Sequence, residues 1–94
     1  MAESKNDDGK VKPKDVAARA IEQMGELLGR PIEGVTGLEK DGDDWKVTLE
    51  VLELERIPST TDVLGSYEVT LDADGELTGA QRTRRFARGE AGEG

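Results

Sequence analysis

The sequence predicts an α+β fold: one N-terminal helix packed on an antiparallel β-meander of three to four strands, in the order α-β-β-β-β. Three observations carry this. Apolar residues recur at helical spacing from Ala17 to Leu28. They alternate with polar residues from Trp45 to Val51 and again from Tyr67 to Leu71. Short Asp- and Gly-bearing stretches then separate the later segments, as turns require. The chain divides into a disordered tail over residues 1–13, one domain over 14–88 and a second disordered tail over 89–94.

The helix is read from Asp15 to Leu28. Ala17, Ala20, Ile21, Met24, Leu27 and Leu28 form one apolar stripe, Asp15 is placed to cap the first N–H groups, and Pro13 lies just outside. Gly29 suits a left-handed C-terminal cap, and Pro31 blocks continuation. Gly25 falls on the opposite face, either as a tolerated surface glycine or as a close-contact site for a partner. A weak strand around Val35–Glu39 leads through Asp41-Gly42 into the strand bearing Trp45, Val47, Leu49 and Val51. Ile57-Pro58-Ser59-Thr60-Thr61-Asp62 is a loop, because Pro58 cannot donate to a ladder. Tyr67, Val69 and Leu71 mark the next strand. Asp72-Ala73-Asp74-Gly75 turns it into a last strand from Glu76 to Phe86.

One length does not match. A continuous strand over 44–57 would run about 46 Å, whereas the helix covers about 21 Å. The buried parity also changes, from odd positions through Val51 to even ones at Leu52 and Leu54. Either a β-bulge near Val51 corrects the parity, or Leu52 and Leu54 face away from the helix and take another cover.

Composition narrows the function. Of 94 residues, 13 are Lys or Arg and 21 are Asp or Glu, giving a net charge of −8, and there is no Cys or His. That leaves no disulfide framework, thiolate nucleophile or imidazole base. No apolar run approaches the roughly 20 residues of a membrane span, and the polar N-terminus does not read as a secretory signal. A cytoplasmic, non-enzymatic module with no cofactor and no membrane is the expectation. The charge is unevenly placed: residues 14–76 sum to −10, whereas Arg82, Arg84, Arg85 and Arg88 stand together with no acid among them.

The chemical candidates are few. Glu53 and Glu55 share a face by parity, with Asp62 in the following loop, so a small carboxylate-dependent hydrolase is one reading and a solvated acidic strand is the other. Asp72–Gly75 departs from calcium-loop spacing and reads as a hairpin turn. By parity Arg82 and Arg84 share one face of the last strand. They fit cross-strand pairing with acids or docking of an acidic protein, and with a single ring, Phe86, on an acidic body they fit nucleic acid poorly.

The run from Glu53-Leu54-Glu55-Arg56-Ile57-Pro58 through Asp62-Val63-Leu64 to Tyr67-Glu68-Val69, preceded by Gly34-Val35-Thr36-Gly37 and Trp45, resembles the gas vesicle synthesis protein O family over residues 15–88. Ala80 departs from that pattern near an aromatic position. The resemblance implies an accessory protein needed for gas vesicle formation, in the cytoplasm or on the vesicle, acting through other gas vesicle proteins and without nucleic acid. It marks Glu53, Glu55, Arg56, Pro58, Asp62 and Tyr67 as a partner surface, to which the charge pattern adds Arg82, Arg84 and Arg85. Homo-oligomerisation is left open. The segment Tyr67–Leu77 is also similar to PepSY-type domains, which would imply a regulatory binding module.

Overall fold

The computed structural model describes residues 11–91. Their order is α1 (Pro13–Leu28), β1 (Ile32–Asp41), β2 (Asp44–Leu54), a 3₁₀ turn (Ser59–Thr61), β3 (Val63–Leu71), β4 (Leu77–Ala87) and a short α2 (Arg88–Ala91). The four strands form one antiparallel sheet in sequence order, with α1 across β1, β2 and β3. This is the expected α+β arrangement with all four strands present. Most of the expected N-terminal tail, and residues 92–94 of the C-terminal one, lie outside the described residues.

The helix begins two residues earlier than Asp15. Pro13 occupies its first turn, where a missing N–H costs nothing, and Lys12 takes the cap position without a side-chain hydrogen bond. Asp15 therefore lies in the first turn, where its charge meets the positive end of the helix dipole. Gly29 closes the other end at φ 65°, its N–H bonded to the Gly25 carbonyl. The buried line is Val16, Ala20 and Met24, narrower than the stripe read from sequence. A single helix touches a twisted sheet along one line, so Ile21 and Leu27 fall on its flanks, and Leu27 is 62% exposed. Gly25 faces β1, where a Cβ would meet Ile32 Cγ1 at 3.9 Å, an ordinary contact.

Under that line lie Val47, Leu49, Val69 and Leu71, with Ile32, Val35, Trp45, Tyr67 and Leu77 packed around them. Register fixes the faces: Trp45, Val47, Leu49 and Val51 pair with Leu71, Val69, Tyr67 and Gly65, all on the helix side. Two tight turns join the outer strands to this pair. Gly42 at φ 65° closes the β1–β2 hairpin. Gly75 at φ 86° closes the β3–β4 turn, where the Asp72 carboxylate accepts the N–H groups of Asp74 and Glu76. Gln23 joins α1 to that turn, donating to the Gly75 carbonyl at 2.8 Å and accepting from the Leu77 N–H at 2.8 Å.

Every strand pair carries at least one register shift. Glu33 and Thr36 are the extra residues in β1, Glu53 in β2, and Thr78 and Thr83 in β4. The three threonines each turn a hydroxyl onto a carbonyl of the neighbouring strand: Thr36 on Thr48, Thr78 on Thr70 and Thr83 on Ser66. A bulge is present, at Glu53 and not at Val51, so each alternative holds for one leucine. Leu52 pairs with Leu64 on the face away from the helix, where Leu64 and Phe86 are buried, and Leu54, past the bulge, pairs with Val63 on the helix side and is 44% exposed.

The narrow buried line has a measurable consequence. Met24→Ala should lower unfolding free energy by about 2–5 kcal/mol in urea titrations, the range for emptying a packed core site. Leu27→Ala should change it by less than about 0.5 kcal/mol.

Candidate functional site

The strands outrun the helix at the end marked by Gly29, and the bulge at Glu53 lies in that uncovered stretch. Glu53 keeps the helix-side parity of Val51, and as the extra residue it has no cross-strand partner, so its side chain lies over Gly65 of β3. A Cβ on Gly65 would collide with the Glu53 carboxylate and would stand 3.1 Å from Tyr67 Cε1. The glycine is therefore the seat of the acid. The Glu53 side chain is 6% exposed. The Tyr67 hydroxyl donates to its Oε2 at 2.7 Å, and Arg82 Nη1 and Arg85 Nε both reach Oε1 at 3.0 Å. Arg30, just past the helix, donates to the Glu53 backbone carbonyl.

Arg82 and Arg85 converge because of a second bulge. With Thr83 as the extra residue, Arg82 pairs with Tyr67 and Arg85 with Gly65, both on the helix side. Arg84 pairs with Ser66 on the open face, its guanidinium 4.4 Å from the centre of the Phe86 ring. The expected sharing of a face by Arg82 and Arg84 is thus overturned: parity counting assumes an unbroken strand, and the bulge breaks it.

A second buried carboxylate closes the loop between β2 and β3. Asp62 Oδ1 accepts the Arg56 backbone N–H at 2.8 Å, and Oδ2 takes Arg88 Nη2 at 2.9 Å. Arg88 Nη1 continues to Glu33 Oε1 at 2.9 Å, so one guanidinium links the loop, the end of β4 and the first strand.

The sequence-derived site is thereby sorted. Glu53, Tyr67, Arg82 and Arg85 come together. Asp62 joins Arg88, and Arg56 enters through its backbone. Glu55 lies beyond the end of β2 and is exposed, so it does not share a face with Glu53. Pro58 is exposed behind a cis peptide bond from Ile57, in a strand-to-strand connection that pairing has already left at Leu54. Sequence reasoning missed Gly65, Arg30, Glu33 and the role of Arg88. A glycine inside an apolar-alternating strand was the available signal for Gly65.

The electrostatics favour ionised, static carboxylates. Burial pushes the Glu53 carboxyl up, but the Tyr67 hydroxyl and the two arginines more than offset it and hold it below its ordinary value. The Arg56 N–H, and then Arg88, hold the Asp62 carboxyl low against burial. Burial and the Glu53 carboxylate raise the Tyr67 hydroxyl. A general acid needs the opposite shift, so neither carboxyl is poised for acid catalysis. Among the described residues no group of three or more acidic side chains is placed to hold a metal ion, and no helix is long and apolar enough to cross a membrane. What the site offers is a rigid pair of guanidinium groups, each about half exposed, on a strand with no acid of its own.

Two outcomes follow. Gly65→Ala and Tyr67→Phe should each cost about 1–3 kcal/mol of stability, because each leaves the buried carboxylate without part of its setting. Glu53 and Asp62 have folded-state pKa values below their unfolded ones. Their contribution is therefore complete above about pH 5 and is lost as pH falls through the folded values. The urea midpoint of the native protein should drop more steeply between about pH 5 and pH 3 than that of Glu53→Gln.

Comparison with known proteins gives this site a context. The chain is 47% identical over 79 residues to "Gas vesicle protein O" of Streptomyces sp. (strain CB03234), covering 84% of this chain and 62% of the relative. It is 40% identical over 80 residues to "Gas vesicle protein O" of Haloferax mediterranei, covering 84% and 57%. It is 37% identical over 75 residues to "Gas vesicle protein O1" of Halobacterium salinarum, covering 80% and 63%. The chain thus spans about three-fifths of the length of these relatives. No solved structure matches it. Residues 1–92 match the family described as "Gas vesicle synthesis protein GvpO", and the chain belongs to that family.

Proposed function

We propose that this protein is a non-enzymatic accessory factor in gas vesicle formation, acting in the cytoplasm by docking other gas vesicle proteins. Family membership supports the process. The observation that supports the mode of action is the arginine pair held by Glu53. Arg82 and Arg85 each spend one contact on a buried carboxylate and remain about half exposed. That is the form of a charged binding surface: guanidinium groups fixed in advance lose little side-chain entropy when a partner carboxylate arrives. A carboxylate-dependent hydrolase built on Glu53, Glu55 or Asp62 fits less well, since two of these acids are locked in ion pairs and the third stands alone on the surface.

The test is complementation in a vesicle-forming host that lacks this gene. The native chain should restore vesicles, and Arg82→Ser/Arg85→Ser should restore few or none while its circular dichroism stays native at a lowered urea midpoint, since Glu53 loses both cationic partners. The same double variant should pull down at least about tenfold less of its vesicle-protein partner, the scale of losing a hot-spot arginine pair. Normal vesicles without the gene, or with the folded double variant, would overturn the proposal.

A further inference from the structure

A four-stranded sheet places its outer strands about 14 Å apart, whereas one helix is about 10 Å across. One helix therefore leaves a strip of the sheet uncovered, and here the strip is the helix side of β4. Register puts Leu77, Ala80, Arg82 and Arg85 on that side. From Thr78 to Arg85 the strand is exposed throughout. The neighbouring flank of α1 supplies the wall: Gln23, Glu26 and Leu27 line a groove with Leu77. Leu27, the most exposed apolar side chain of α1, looks into it. Leu27 and Leu77 make the groove apolar, and farther along the same side of β4 stand Arg82 and Arg85.

We infer that this groove receives an amphipathic helix from a partner protein, with an apolar stripe on Leu27, Leu77 and Ala80 and acidic residues at the end that meets Arg82 and Arg85. The inference rests on the docking role proposed above and names the kind of segment docked. A second helix there completes the layer that the sheet width calls for. The charge of the occupant follows from Arg82 and Arg85, the two cations that β4 turns to this side with no acid of its own, whereas Glu26 lines the Leu27–Leu77 end and confines the occupant's acids to the far end. An added β-strand is the competing occupant, and the edge is built against it. Thr78 and Thr83 are bulges, which bend and twist the edge and disfavour continued pairing along it.

The probe is a synthetic 18-residue peptide with Leu at helical spacing and Glu on its C-terminal flank, beside a twin with Lys in place of Glu. Titrated into the 15N-labelled full chain, the Glu peptide should give saturable amide shifts at Gln23, Leu27, Leu77, Ala80, Arg82 and Arg85, and gain helicity. The Lys twin should bind at least tenfold more weakly. Leu27→Asp and Ala80→Glu, both at exposed positions, should each weaken the Glu peptide at least tenfold, whereas Arg84→Gln on the opposite face should change it less than twofold. Absence of saturable binding overturns the inference. So do equal affinity for the Lys twin, shifts along the β4 edge with a peptide that stays extended, or dimerisation of the chain through this groove. If the peptide does not bind but the Arg82→Ser/Arg85→Ser chain still fails to make vesicles, the docking role stands and the helix partner falls. If the peptide binds and that chain makes normal vesicles, the docking role falls instead.

Discussion

The Glu53 carboxylate constrains everything at its end of the sheet. A charge removed from water is costly unless its lone pairs are met by donors in good geometry. Glu53 reaches that condition through four separate features of the chain. A bulge in β2 leaves it without a cross-strand partner, a glycine in β3 leaves room, a tyrosine one row away supplies a hydroxyl, and a bulge in β4 brings two arginines to the same side. None of these has an evident purpose alone. Together they convert a surface acid into a fixed counter-ion and give β4 its arrangement of arginines.

Much of the fold could be read from the sequence because it depends on local rules. The helix, its glycine cap, the two glycine turns and the alternating strands all follow from spacing and from the few residues that tolerate the required backbone angles. The candidate site was half legible. Glu53, Tyr67 and Arg82 could be named, but their relation could not, since parity fails wherever a strand carries an extra residue. A bulge depends on two strands at once and leaves no firm mark on either. Glu53 and Glu55 look alike in one dimension, and Arg84 looks like the natural companion of Arg82. The bulge at Thr83 makes Arg85 that companion.

The bulges follow a chemical pattern that the sequence shows only in retrospect. Three of the extra residues are threonines, each donating its hydroxyl across to a neighbouring strand carbonyl. The other two are glutamates, and both capture arginines, Glu53 holding Arg82 and Arg85 while Glu33 holds Arg88. Charge is sorted along the strands as well. The two tight turns present Asp41, Asp43, Asp44, Asp74 and Glu76 to solvent, whereas the opposite end carries the arginines. The acidic net charge therefore conceals two ends of different character.

The bridge from Arg88 to Asp62 and Glu33 bears on how the domain would respond to tension. Val11 lies beside Gly75 at the turn end, whereas Arg88 leaves β4 beside Asp62, about 30 Å away along the nine residues of β3. A pull between these points runs parallel to the strands. It loads the packing of α1 on the sheet and, in shear, the rungs joining β3 and β4. Arg88 sits where that load enters the sheet and spreads it to the first strand through Glu33.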